Sequence, residues 1–351
     1  MIGFLLRRVA YGLLVLAGVV CVVFLLFHAL PGDPVSLIAG QRSDIRTRQE
    51  ITRDLGLDRP LHTQFLHYVN DLSVISIYEK SEFNREKYQY KAVFDIGERA
   101  VVLKTPYLRR SFQTNQKVTE IINSNIYDTF WLAISAMVLA SVVGISLGVI
   151  TAIKKHTWID HLILSVSVLG ISIPSFVSAI VIAMVFGFYL SEFTGLNLTG
   201  QLWVNHPIRG RELQLQNLIL PAITLGIRPL AIIVQLTRSS MIEVLSKDYI
   251  RTAYAKGLSK YSVLLKHALK NALNPVITAV SGWLASLMAG AFFVEYIFDW
   301  KGLGYVTIKA VQSLDFPVVM GVTLVVATIF VTINILVDIL YAAIDPRIRL
   351  R

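Results

Sequence analysis

Residues 129–153 read TFWLAISAMVLASVVGISLGVITAI, a run without one charged side chain, followed directly by Lys154 and Lys155. A helix rises about 1.5 Å per residue, so this run can cross the roughly 30 Å hydrocarbon core of a bilayer, where a helix satisfies its own backbone. Five further stretches pass the same test: residues 9–30, 162–190, 218–237, 276–298 and 317–344. The 351 residues are 54% hydrophobic and 16% charged, with a mean hydropathy of +0.60. That composition predicts a polytopic membrane protein rather than a soluble domain.

Lysine and arginine fall unevenly between these runs. With the N-terminus inside, the inner segments hold Arg7, Arg8, Lys154, Lys155, Arg238, Lys247, Arg251, Lys256, Lys260, Lys266, Lys270, Arg347, Arg349 and Arg351. The short outer segments hold Arg209, Arg211, Lys301 and Lys309. Positive charge on short loops stays inside, which places both termini and residues 238–275 in the cytoplasm. The net charge of +10 is then a topology signal, and no nucleic-acid partner is expected. Arg7 and Arg8 precede the first run as they would in a secretion signal. That run is of spanning length, however, and HALPGDP follows it instead of a small-x-small cleavage site, so it is read as a retained helix. Cys21, the single cysteine, excludes an intrachain disulfide and is read as an apolar filler.

Residues 31–128 form the one large segment outside the spans, and their 14 basic and 13 acidic residues nearly cancel. This segment is expected to fold. DIRTRQEITRDL (44–55) reads as a helix with Asp44 as N-cap and Gly56 as stop, and QYKAVFD (89–95) and RAVVLKTPYLRRSF (99–112) read as short strands. His62 and His67 are five apart, which suits neither a helical face nor a zinc spacing. The expected fold is an all-α polytopic membrane protein with six transmembrane helices and a mixed α/β extracytoplasmic insertion after the first. Its divisions are 1–30, 31–128 and 129–351.

The chain has no phosphate-binding G-x-x-x-x-G-K-[ST] loop, no H-E-x-x-H, no G-x-S-x-G and no cysteine pair, so it is not expected to be an enzyme. The acids near the spans are Glu295 and Asp338, each close to a helix end, which gives little support to an ion-driven cycle. Residues 247–261, KDYIRTAYAKGLSKY, interrupt the apolar pattern. Ser246 is expected to cap a helix through Lys256, Gly257 to end it in the left-handed conformation, and Ser259 to cap a second helix running toward Asn274 and Pro275. Ile250, Ala253, Tyr254 and Gly257 then share one face, where the small residues admit a close neighbour and Arg251, Lys256 and Lys260 ring it with charge. That is the composition of a docking knob; an amphipathic hairpin lying on anionic lipid is the alternative.

DYIRTAYAKGLSKYSVLLKHALKNALNPVIT (248–278) resembles the cytoplasmic coupling loop of importer permeases driven by ATP-binding-cassette subunits, in the form used by the dipeptide, oligopeptide and nickel branch. Similarity to that branch recurs in order along the chain, in LGLDRPLHTQF (55–65), SIPSF (172–176), LILPAITLGI (218–227), LTRSSMIEVL (236–245), FVEYIFDWKGLG (293–304) and LVDILYAAIDPRIR (336–349). There are departures. Arg251, Thr252 and Ala253 stand where the general loop has Glu-Ala-Ala, and His267 and Lys270 where it has Ile and Pro. Lys301 replaces a proline usual before GLG, from which a less rigid outer loop is expected. Residues 72–108 read as an insertion whose role is open.

The resemblance implies a permease subunit of the bacterial inner membrane that forms half of a translocation path. Its partners would be a homologous second permease, two ATP-binding subunits and an extracytoplasmic solute-binding protein. This chain would bind no cofactor or metal itself; ATP and Mg would sit on the ATPases. Carried over by position, Arg251, Ala253 and Gly257 are the coupling-loop residues, with Asp248 and His267 as flanking contacts. Arg228 lies about ten residues inside the fourth run, just before Pro229, too deep to reach either interface easily. Two readings of it stand side by side: lining the path and meeting a substrate carboxylate, or pairing internally with Glu295 or a helix-terminal carbonyl. Short peptides are the expected solute, with nickel or another small solute of the branch as alternative. A membrane-anchored scaffold or sensor working through the outer segment is the alternative from a different class.

Overall fold

The computed structural model describes residues 2–29 and 56–344, apart from 82, 83, 85, 86, 207, 209, 289 and 290, together with positions 35, 49 and 52. The expected helix at 44–55 lies almost wholly outside the described residues. Its expected stop is described: Gly56 has a φ of 67°, and the Leu57 amide donates to the Thr52 carbonyl. The chain divides into two compact units, one of Met1–Leu5, Asn125–Tyr305 and Ile329–Arg351, the other of Leu6–Ser124 and Val306–Thr328.

Four single helices among the described residues are long and apolar enough to cross a membrane: α1 (Ile2–Ala29), α3 (Val118–Ile153), α6 (Gln216–Leu245) and α12 (Phe316–Ile344). Long apolar runs with at most one charged residue make these helices readable. The run at 162–190, counted as one span, is a bent pair of helices, and Pro174, read from the sequence as a residue that shapes or starts a helix, stands at the bend. Helix α4 (Trp158–Ser172) stops at Ile173, and α5 (Ser175–Ile182, continued by a π-helical turn Ala183–Tyr189) leaves at 110°. Pro174 explains the break, since proline drives the residue before it out of the helical region and Ile173 has ψ 130°. The run at 276–298 is also divided, into α9 (Asn274–Met288) and α10 (Phe292–Ile297). At fifteen residues α9 reaches about 22 Å, short of a crossing.

In the second unit, α2 (Leu61–Leu72) precedes a three-stranded antiparallel sheet of order β1-β3-β2, with β1 Ile75–Glu79, β2 Lys91–Ile96 and β3 Arg99–Leu103. Composition points to β2 and β3 but not to β1. It also runs β3 too far: after Leu103 the chain leaves the sheet, and Arg109 adopts a φ of 67°. Tyr78, Ala100 and Val102 form one buried face of the sheet, while Phe24, Phe27, Tyr68, Phe316 and Met320 make the main apolar cluster of this unit. Asp315 is buried and accepts from the Ser111 hydroxyl and the Phe112 amide.

The first unit packs around Leu132, Ala136, Leu220, Ile233, Phe298 and Trp300. Helices α3 and α6 touch closely at Gly148, where a Cβ would lie 2.5 Å from Thr237 Cβ, the small-residue contact common between membrane helices. A hairpin unforeseen in the sequence, β4 (Trp203–His206) and β5 (Gly210–Leu213), precedes α6, with the Arg211 guanidinium 4.7 Å from the Trp203 ring centre.

Candidate coupling hairpin and cavity

Helix α6 ends at Leu245 and α7 (Asp248–Ala255) begins three residues later. Ser246 does not cap α7 as expected. It closes α6, its hydroxyl donating to the Glu243 carbonyl at 2.7 Å, and Lys247 takes the N-cap position with extended backbone. The preceding helix runs long enough to absorb the serine. At the other end of α7 the Leu258 amide donates to the Ala253 carbonyl and the Gly257 amide to the Tyr254 carbonyl. With Gly257 at φ 78° this pair is a Schellman closure, a helix end that a Cβ would strain. No atom lies within 4 Å of a Cβ built there, so backbone conformation and not close approach accounts for the glycine. Ser259 accepts from the Ser262 amide at 3.4 Å and starts the second arm, which includes a π-helical turn at Val263–Leu269.

Half of the expected docking face, Ile250 and Ala253, is turned inward, while Tyr254 and Gly257 stay exposed. Ile250 and Ala253 are 1% and 7% exposed and pack with Ala152, Met241, Val263, Ala268 and Ala272 of the same unit. Periodicity identifies the apolar pair, and the chain's own helices cover it. The outward surface carries Tyr249, Tyr254, Leu258 and Tyr261, of which the sequence pattern singles out Tyr254 alone. Asp248 and Arg251 are also exposed, 3.6 Å apart, a pairing of little energetic weight in solvent. His267 is half-buried on the second arm. Its carbonyl accepts from the Asn271 side chain, which also donates to the Tyr249 hydroxyl, both at 3.0 Å, so the two arms are tied together.

A cavity of about 250 Å³ opens between α4, α5, α6, α9 and α10. Ser175, Ser178, Thr224, Trp283, Ser286 and Phe293 contribute to its wall, and Arg228 is the one charged side chain among its lining residues. The Arg228 guanidinium reaches the Ile173 carbonyl at the end of α4, at 3.5 Å. Cavity lining and contact with a helix-terminal carbonyl thus occur together. A pair with Glu295 does not occur.

Glu295 is 0% exposed and fully engaged elsewhere. It accepts from the Thr129 hydroxyl at 2.9 Å, the Gly304 amide at 2.7 Å and the Tyr305 amide at 3.1 Å. A Cβ at Gly302 would fall 2.4 Å from both Glu295 Oε2 and Thr129 Oγ1, which explains that glycine by close approach. In the same loop the Lys301 ammonium binds Asp299 and the Tyr305 hydroxyl at 3.1 and 3.0 Å. A second buried carboxylate, Asp160, carries no signal in the sequence beyond that of a loop charge. It receives Arg238 Nε and Nη2, each at 2.7 Å, and the His156 amide at 3.0 Å.

The sequence profile of binding-protein-dependent transport system inner membrane components matches residues 144–350, and the N-terminal profile of the same systems matches residues 1–133. The chain is 35% identical to the dipeptide transport system permease protein DppB of Escherichia coli K12, over 99% of each chain. It is 36% identical to the probable D,D-dipeptide transport system permease protein DdpB of the same strain (98% of this chain, 97% of the relative), and 34% identical to its glutathione transport system permease protein GsiC (99% of each). Among solved structures, an inward-facing MetNI methionine ABC transporter chain aligns with a TM-score of 0.50 at 14% identity, covering 64% of this chain and 97% of that one. At that identity the likeness concerns the fold alone. The matched profiles and the full-length identity together establish that this chain belongs to the family of binding-protein-dependent transport system inner membrane components.

Proposed function

We propose that the chain is the permease subunit of an ATP-driven importer of di- or oligopeptides, contributing half of the translocation path and coupling to separate ATPase subunits. The observation that carries the coupling role is the hairpin. It is a closed, internally tied helix pair continuous with α6, with an aromatic outer face and its apolar inner face already covered. A rigid element of this kind transmits a displacement that a loose loop would absorb. Asp248, Arg251, Ala253 and Gly257 are the proposed coupling residues within 238–275, with His267 flanking them and Ala253 buried in the hairpin. Relatives named for dipeptide and glutathione transport favour a peptide. The lone arginine in the cavity likewise suits a solute carboxylate better than a cation such as nickel.

On this reading the bent and divided helices complete a six-span core within residues 129–351 and 1–30, both termini are cytoplasmic, and residues 31–128 are extracytoplasmic. A second permease, two ATP-binding subunits carrying ATP and Mg, and a solute-binding protein complete the assembly. The test begins in a Cys21→Ala background. A cysteine replacing Ser259 should react with an impermeant thiol reagent only in opened cells, and one replacing Gln113 in intact cells with a permeabilised outer barrier. The reverse pattern would overturn the topology. Uptake of a panel of peptides, restored to a deletion strain by this chain, tests the solute class; loss of nickel uptake alone would favour the cation, and no transport defect the scaffold reading.

A further inference from the structure

Helices α4 and α6 run antiparallel and meet at both ends. At one end stands the Asp160–Arg238 fork, its side chains 1% and 22% exposed. At the other, Gly170 lies so close to Ile227 that a Cβ would sit 2.7 Å from Ile227 Cγ2, and the Arg228 guanidinium meets the Ile173 carbonyl. Asp160 to Gly170 is ten residues and Arg238 to Ile227 eleven, so the two points of attachment are about 15 Å apart on each helix. The near end adjoins the hairpin: Met241, one turn beyond Arg238, packs against Ile250 and Ala253. The far end is the cavity wall, where Gly170, Ile173, Thr224 and Arg228 all line the space.

Helix α6 alone is poorly suited to carry a push along this length. Pro229 lies within it and removes one ladder hydrogen bond near the cavity, and Pro221 removes another just beyond the far attachment. Apolar contacts along α4 would resist separation but permit sliding. A bidentate guanidinium–carboxylate fork fixes register as well as distance, and the His156 amide on Asp160 Oδ2 holds the carboxylate in place for it. A buried ion pair of this kind adds little net stability over an apolar pair, so its directional restraint is the property that distinguishes it.

We infer that Asp160 and Arg238 are a positioning pair that locks α4 to α6 as one lever, delivering displacement of the coupling hairpin to the cavity wall. The inference rests on the proposed coupling role and adds the part that carries the motion. Asp160→Asn/Arg238→Met removes the fork while leaving no unpaired charge and keeping an oxygen for the His156 amide. Assembled with its ATPases, second permease and binding protein in proteoliposomes, this variant should hydrolyse ATP at a rate near that of the unaltered complex. Solute moved per ATP should fall at least about fivefold, the lower end of ordinary coupling between sites. Arg238→Lys, which keeps the charge and loses the fork, should show an intermediate ratio, whereas a merely structural role would lower assembly and leave the ratio of surviving complexes unchanged. An unaltered ratio in assembled double-variant complexes overturns the inference; if that variant does not assemble, an unaltered ratio for Arg238→Lys does so. The unaltered complex serves as the separate check on the function itself: if it moves no solute with ATP, the importer reading fails before the lever is judged.

Discussion

Among the described residues, Asp160 and Glu295 are the two carboxylates at 0% exposure in the same compact unit, and they are accommodated by opposite means. Asp160 faces a guanidinium in a two-point fork, helped by one amide. Glu295 accepts from one hydroxyl and two amides, all uncharged, from Thr129, Gly304 and Tyr305. The fork joins two long helices whose partners are 78 residues apart, whereas most of the Glu295 cradle is its own loop folded back within ten residues. An ion pair therefore restrains relative motion of helices, and a cradle of dipoles shapes a local turn. Both satisfy a buried carboxylate, but they respond differently when charge or length is removed.

The largest effect is expected from Glu295→Ala. Truncation leaves the Thr129 hydroxyl and two amides without their acceptor, and at about 1 to 3 kcal/mol for each unmet group the loss should be about 4 kcal/mol. Thermal unfolding of the purified chain in detergent measures it. Asp160→Asn comes next, at about 2 to 3 kcal/mol, because Arg238 keeps a mostly buried charge without its counterion; its partial exposure lowers the cost from that of a fully buried pair. Glu295→Gln should cost only about 1 kcal/mol, since the amide oxygen still accepts from Gly304 and Tyr305. Comparing the two amide substitutions is the sharpest check. If Glu295→Gln proves the more damaging, the cradle depends on charge and the contrast between the two sites is wrong.

Neither arrangement is legible in the sequence, for different physical reasons. Asp160 and Arg238 belong to separate runs, and one sequence holds no record of which distant residues meet. Glu295 stands out by its position near a helix end, but its partners depend on how tightly KGLG turns, which hydropathy does not register. What is legible is local chemistry. Gly257 announces a left-handed helix end because glycine, alone among the residues between the two helical stretches, takes positive φ without a Cβ penalty, and the structure places it there at φ 78°. Four spanning helices follow from apolar length. The bend at Pro174 has its signal in the proline itself, which shapes or starts a helix, although the angle of 110° is not in the sequence. Strand β1, only five residues, is held by β3 more than twenty residues later, so its identity comes from pairing more than from composition. Ile250 and Ala253 show the limit of periodicity: it names a face, not what covers that face.

The smallest effect concerns a buried cation in the other unit, held by uncharged groups as Glu295 is. Lys104 is 5% exposed, donates to the Asp71 carbonyl, and sits 5.7 and 5.8 Å from the ring centres of Tyr78 and Tyr88. Burial lowers its pKa from 10.5 to about 8, with the Asp71 charge opposing the shift. Below pH 8 the lysine is charged in both folded and unfolded chains. Between pH 8 and the ordinary lysine value the folded chain releases this proton first, so the unfolded chain binds more protons and stability rises with pH. The rise has a ceiling. Burial raises the pKa of Tyr78 and Tyr88, so above about pH 10 the unfolded tyrosines ionise first and stability falls again. From pH 7 to 9.5 the net gain should be below about 1 kcal/mol, because ionised groups elsewhere and residual hydration dilute it. Amide-exchange protection of β3, corrected for the intrinsic pH dependence of exchange, reads this change, and Lys104→Met should abolish it while raising protection at pH 7. A gain that persists in Lys104→Met would assign the titration to another group and leave Lys104 outside the comparison.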